Sequence, residues 1–252
     1  MSGYGYTILD GYLCGHTGVI SKVVVPEGVK TIGKRAFFQK SYVTEVVLPA
    51  SVEVIEPSAF WGCENLKKVF IHENIKEIGK DAFGQCKKLE EVEIVYGGDL
   101  VIGDYAFFGC TSLKSFHFPP GIKRTGKDAF SGCTNLESVW LSYSMESVDD
   151  YAFFDCPKLK NVYFPKGLKR IGDGAFSKCS SLEKVEIPSG LEYLGKGAFQ
   201  SCENLKEVHT NMNYLGIEKH AFLESHKVAV YTTNSDLLVY CKMKNIYVYF
   251  ED

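Results

Sequence analysis

A chain of 252 residues, 45% hydrophobic and 23% charged, has the composition of a folded protein and not of a disordered segment. Its 28 Lys and Arg against 31 Asp and Glu leave a formal charge of −3, a balance that does not predict nucleic-acid binding. No apolar run approaches the ~18 residues of a membrane-spanning helix, so no membrane insertion is expected.

The opening Met1-Ser2-Gly3-Tyr4-Gly5-Tyr6 has neither the basic nor the apolar stretch of a secretory leader, so the sequence as written predicts no export signal. Tyr6-Thr7-Ile8-Leu9-Asp10-Gly11-Tyr12-Leu13 places an Asp-Gly turn between two strand-like runs, and residues 1–22 read as an N-terminal capping hairpin. After that, one dipeptide sets the pattern. Ala-Phe recurs nine times, at Phe37, Phe60, Phe83, Phe107, Phe130, Phe153, Phe176, Phe199 and Phe222, separated by 23 residues seven times and by 24 once. Such a period marks a solenoid, whose repeats bury their apolar faces only against their neighbours. Residues 23–227 are therefore read as one repeat array within a single domain spanning residues 1–252.

With each of these phenylalanines as position zero, the other columns follow. Position three holds Cys63, Cys86, Cys110, Cys133, Cys156, Cys179 and Cys202, and position six is Leu or Val throughout. Positions nine and eleven are apolar and alternate with polar residues, as in Val69 and Ile71 or Val185 and Ile187, which is the period of a strand. Position minus five is apolar in all copies but one and is often followed by glycine, read as a tight turn at positive φ. Ala, Phe and Cys stand at i, i+1 and i+4, which predicts one helical turn on the side opposite the strand. The expected fold is an α/β leucine-rich-repeat solenoid: one short parallel strand and one short helical turn per 23-residue coil, capped at both ends. The one 24-residue interval takes its extra residue within Val95-Tyr96-Gly97-Gly98-Asp99-Leu100, in the turn after the strand. After Phe222 the register decays, and Val228-Ala229-Val230-Tyr231, a helix-compatible Asp236–Lys242 and Ile246-Tyr247-Val248-Tyr249-Phe250 make residues 228–252 the C-terminal cap.

Written out as Leu-x-x-Val-x-Ile-Pro-x-(Gly/Ser)-(Val/Leu)-x-x-Ile-Gly-x-x-Ala-Phe-x-x-Cys-x-x-Leu, the repeat resembles that of the BspA-like leucine-rich-repeat family. Its clearest copy runs from Leu182 to Phe199. The resemblance implies the solenoid fold and a surface protein that adheres to host or neighbouring-cell components.

The cysteines read as structural. No Cys-x-x-Cys pair is present, and thiols one coil apart make small apolar fillers that fit a reducing compartment. By that argument the protein is cytoplasmic; the family resemblance implies the cell surface or export instead. No nucleophile elbow, phosphate loop or His-Glu-x-x-His motif occurs, so no cofactor, metal or catalytic residue is expected. The remaining catalytic reading is a thiolate at Cys14 or Cys241 beside a histidine, these being the two cysteines expected to be accessible.

Position ten lies between core-facing nine and eleven and must point to the open face of the sheet. It reads Val47, Phe70, Glu93, His117, Trp140, Tyr163, Glu186 and His209, and Phe70, Glu93, His117, Trp140 and Tyr163 are the candidate binding residues. Exposed aromatics rimmed by polar groups mark recognition surfaces, and a protein partner is expected, with a glycan as the alternative. Cross-strand aromatic packing is the competing structural reading. Position one, with Phe38, Trp61, Phe108 and Phe154, is read as packing between adjacent turns.

Overall fold

The computed structural model of the chain describes residues 5–95, 98, 100–212, 217–218, 220–225, 228–243 and 247–250. Tyr96, Gly97 and Asp99 of the inserted segment, Met1 to Tyr4 and Ile246 lie outside the described residues. The chain opens with strands β1 (Tyr6–Leu9) and β2 (Tyr12–His16), paired antiparallel. The turn between them holds Asp10 at φ 45 and Gly11 at φ 80, the double positive φ that a two-residue hairpin demands.

Each coil then contributes to two parallel ladders. The second ladder consists of two-residue strands at the isoleucine corner. It contains β4 (Thr31–Ile32), β6 (Val54–Ile55), β8 (Glu77–Ile78) and β10 (Val101–Ile102), which continue from β2. After an interruption come β13 (Ser147–Val148), β15 (Arg170–Ile171) and β17 (Tyr193–Leu194). The main ladder opens with β3 (Lys22–Val24), β5 (Glu45–Val47), β7 (Lys68–Ile71) and β9 (Glu91–Ile94). A separate three-stranded group follows, made of β11 (Ser115–His117), β12 (Ser138–Trp140) and β14 (Asn161–Tyr163). The last group is β16 (Lys184–Ile187), β18 (Glu207–Thr210), β19 (Ala229–Thr232) and β20 (Tyr247–Phe250).

The Ala-Phe segment is not a helical turn. Among the described residues the only helix is α1 (Ser235–Met243), near the C-terminus. The residues two before and two after each phenylalanine take positive φ, as at Arg35 (58) and Gln39 (56) or Tyr151 (55) and Asp155 (56), and a left-handed residue every fourth position cannot propagate an α-helix. The amides instead alternate. Phe37 and Gln39 donate to Ala59 and Trp61 of the next coil at 2.7 and 2.6 Å, whereas Ala36 and Phe38 donate back to Gly33 and Arg35 at 3.0 Å. The turns are thereby stitched to one another as firmly as the strands are.

Inside this frame all nine phenylalanines stack in one column, with centroids 5.0 to 5.7 Å apart between coils. The seven position-three thiols are buried, and each donates to the carbonyl of the phenylalanine one coil earlier at 3.1 to 3.3 Å. Ser225 takes the same slot in the last coil, and its hydroxyl donates to Phe199 O at 2.7 Å. Position three thus supplies a buried donor as well as an apolar filler.

Of the corner glycines, Gly126 takes the expected positive φ, at 83, and the others differ from expectation. Gly79 and Gly103 lack positive φ; a Cβ on Gly79 would lie 2.8 Å from Ile55 O and one on Gly103 2.7 Å from Lys80 N. Glycine is required there because adjacent coils bring their backbones together. Gly79→Ala is accordingly expected to cost about 1–3 kcal/mol through overpacking against rigid backbone. A thermal melt equal to the parent's would refute that reason.

Candidate functional site

Position ten leaves the main ladder on the side away from the phenylalanine column, because Val139 and Val162 at position nine and their counterparts are buried. His117, Trp140 and Tyr163 come from adjacent in-register strands, with His117 opposite Trp140 and Trp140 opposite Tyr163. The imidazole of His117 stacks on the indole of Trp140 at a centroid distance of 3.9 Å and an interplanar angle of 20°. Trp140 still exposes 40% of its surface and Tyr163 63%. Beside Tyr163, a depression of about 280 Å³ is lined by Asn161, Phe164, Lys184 and Glu186.

The other two candidates stand apart. Phe70 is 42% exposed on β7, two strands from His117, and β9 does not pair with β11. Glu93 lies between them and is held by Lys68 at 3.0 Å, while Lys68 also meets Glu91 at 3.1 Å. The hydrogen bonds that the Lys68 ammonium donates to Glu93 and Glu91 hold it above its ordinary pKa, so this trio is a self-contained charge cluster. Phe70 borders a separate groove of about 530 Å³ with Val47, Glu45 and Lys67.

One feature of position eight escapes a residue-by-residue reading. Down the main ladder it holds Lys22, Glu45, Lys68 and Glu91, then Ser115, Ser138 and Asn161, then Lys184 and Glu207. The uncharged stretch coincides with the three-stranded group β11–β12–β14 and with the aromatics at position ten. Ion pairs border it on both sides: Lys68 with Glu91 and Glu93, and Lys184 with Glu186 at 3.3 Å and Glu207 at 4.0 Å. The signal was present in the sequence as an interruption of alternating charge, and polar residues counted one by one do not reveal it.

Position one forms the lateral packing expected of it. Trp61 lies across Gly84 and stacks on Phe108 of the second coil onward at 6.3 Å, and Phe38, Trp61, Phe108 and Phe154 are half-buried. The cysteines outside the column differ from expectation in one case. Cys241 is buried at 1% exposure in α1, which packs on β19, and burial pushes its thiol up to about 11, the wrong direction for a nucleophile. Cys14 is half-buried. Among the described residues no group of three or more His, Cys, Asp or Glu is arranged to hold a metal ion, and no helix is long and apolar enough to cross a membrane.

Comparison with solved structures gives the same architecture elsewhere. A leucine-rich cell surface protein of Faecalibacterium prausnitzii superposes with a TM-score of 0.56 at 20% identity, covering 100% of this chain and 94% of its own. A leucine-rich repeat protein of T. pallidum is similar at 25% identity and a TM-score of 0.49, covering 98% of this chain and 94% of its own. The pneumococcal vaccine antigen PcpA is similar at 17% identity and a TM-score of 0.49, with 92% of this chain and 79% of that one covered. None of the curated proteins compared with it matches the chain. A sequence profile described as "BspA type Leucine rich repeat region" matches residues 7–98 and 100–229 in six copies. With the Ala-Phe column, the stacked coils and this match over nearly its whole length, the chain belongs to the BspA-type leucine-rich-repeat family.

Proposed function

We propose that this protein is a non-catalytic protein-binding module with an adhesin-like role, engaging its partner through the open face of the main ladder. Phe70, Glu93, His117, Trp140 and Tyr163 are its binding residues, with His117, Trp140 and Tyr163 at the centre. The observation that carries this reading is the stacked His117–Trp140 pair beside Tyr163, three large side chains left exposed on adjacent rigid strands. Trp and Tyr are the usual anchors of protein interfaces, and a face already ordered by the ladder loses little entropy on binding.

A pull-down from cells that carry the natural partner, comparing the intact protein with the Trp140→Ala/Tyr163→Ala double variant, tests the proposal. Capture is expected to fall at least tenfold while the melting temperature stays within about 2 °C, because both side chains lie outside the core. Undiminished capture by the double variant would remove the aromatic face from the binding site. A large drop in melting temperature would instead make these rings sheet-packing residues. Hits on a glycan array that vanish in the double variant would assign the face to carbohydrate.

A further inference from the structure

The aromatic face also specifies the chemistry of what it binds, given the protein-binding reading above. Three observations bear on this. First, positions eight and ten carry no Lys, Arg, Asp or Glu over three coils, and the charges at these positions on both sides are joined in ion pairs, while Lys114, Glu137 and Lys160 stand exposed one residue before position eight. At positions eight and ten a charged partner meets no unpaired counter-charge, and burying a carboxylate against the faces of these rings carries a desolvation cost with no return. Second, every one of the polar groups named next can donate a hydrogen bond. The Trp140 indole N–H, the Tyr163 hydroxyl, the Ser115 and Ser138 hydroxyls and the Asn161 amide make no side-chain hydrogen bond to another described residue. Of these the indole N–H can only donate. Third, His117 covers one face of the indole, and among the described residues no ring or cation lies on the other.

The geometry points to a neutral, proline-rich segment in the polyproline II conformation as the occupant of this window. A proline ring is flat, apolar and uncharged, and it stacks on an open indole face. Proline lacks an N–H, so such a segment shows its binding site mainly carbonyl acceptors, which the donor-only indole N–H and the four other groups able to donate can meet. The periods also match. Polyproline II repeats every three residues, about 9.3 Å, and two strand spacings, from β11 to β14, measure about 9.6 Å. Prolines three residues apart on a segment running along the solenoid therefore fall on either side of Trp140, one near His117 and one near Tyr163. Aromatic-lined grooves that read such segments gain from the ligand's low conformational entropy, and this window has the same ingredients on a flat sheet.

The test uses the full chain carrying Trp61→Phe, which leaves Trp140 as the only tryptophan of the two. The probe is a synthetic neutral decapeptide with proline at every third position, titrated against Trp140 fluorescence and repeated by calorimetry for the variants. Saturable binding is expected, at least tenfold weaker when the prolines are replaced by alanine, and at least tenfold weaker for Trp140→Ala or Tyr163→Ala in the intact chain. Equal binding of the alanine peptide overturns the proline chemistry. No saturable binding of the proline peptide, together with a natural partner still lost by the double variant in the pull-down, overturns the proline chemistry and leaves the protein-binding face standing. A pull-down unaffected by the double variant overturns both. Saturation of the Trp140 signal by a neutral oligosaccharide but not by the peptide assigns the window to sugar and overturns the inference.

Discussion

Raising the pH from 8 to 10 is expected to unfold this protein at room temperature. Seven thiols sit in one buried column, where burial pushes Cys63, Cys133 and Cys202 up to about 12 and Cys86, Cys110, Cys156 and Cys179 well above 9.0. In the unfolded chain each thiol ionises near its ordinary value of 9.0. A folded pKa above the unfolded one gives stability that is complete below pH 9 and is lost as the pH rises toward the folded value, because only the unfolded state then releases its protons. One pH unit above the unfolded value, the loss is on the order of 1 kcal/mol per thiol, and over seven thiols on the order of 10 kcal/mol. That is of the order of the whole stability of an ordinary domain.

Ser225 supplies the control for this expectation, since it shows that a hydroxyl satisfies the same slot, donating to Phe199 O at 2.7 Å. Cys133→Ser is therefore expected to fold. Relative to the parent, it should regain on the order of 1 kcal/mol between pH 7 and pH 10, read from urea unfolding at the two values. A stability difference between variant and parent that does not move with pH would rule out the thiol column as the source of alkaline sensitivity.

Much of the fold can be read in the sequence because a solenoid repeats its instructions. One phenylalanine column, one cysteine column and the alternation at positions nine and eleven place the core and the main ladder, and the Asp10-Gly11 turn places the hairpin. The conformation of the Ala-Phe segment could not be read the same way. The i, i+1, i+4 spacing suits a helical turn, but Arg35 and Gln39 take positive φ so that Phe37 can donate to the next coil, and inter-coil hydrogen bonding outweighs local helix preference. The corner glycines other than Gly126 depart from the positive-φ reading for a related reason. Sequence shows that Gly79 has no side chain and does not show that Ile55 O lies where one would go. At the candidate site, exposure at position ten follows from strand alternation alone. The separation of Phe70 from His117 does not, because it depends on where the ladder is interrupted, and that is a property of neighbouring coils.

The interruption itself leads to the second large expected effect. Both ladders break near the 24-residue coil: β9 does not pair with β11, and β10 does not pair with β13, an isolated bridge from Arg124 to Ser147 standing beyond the gap. Where backbone pairing lapses, aromatic packing is densest. Phe130 touches Phe107 at 5.3 Å, Phe116 at 4.5 Å, Phe118 at 5.5 Å and Phe153 at 5.3 Å, whereas Phe60 stacks only on Phe37 at 5.0 Å and Phe83 at 5.2 Å. Phe116 stands at a position that the neighbouring coils fill with Val, and Phe118 shares position eleven with Phe164, which meets one ring, Phe176, at 5.5 Å, so the four-ring cluster is found at the junction. Phe130→Ala is expected to cost about 5 kcal/mol, the upper end for a phenylalanine, and Phe60→Ala about 3. The two should also differ in kind. Solenoid stability is a sum of coil and nearest-neighbour terms, so weakening the junction at which both ladders lapse among the described residues uncouples the coils on either side. Phe130→Ala should melt in two calorimetric steps and Phe60→Ala in one. Equal losses with a single step in both would mean that the cluster does not bridge the gap and that the turn-to-turn hydrogen bonds, from Phe107 to Ala129 and from Phe130 to Ala152 at 2.8 Å, hold the two halves together by themselves.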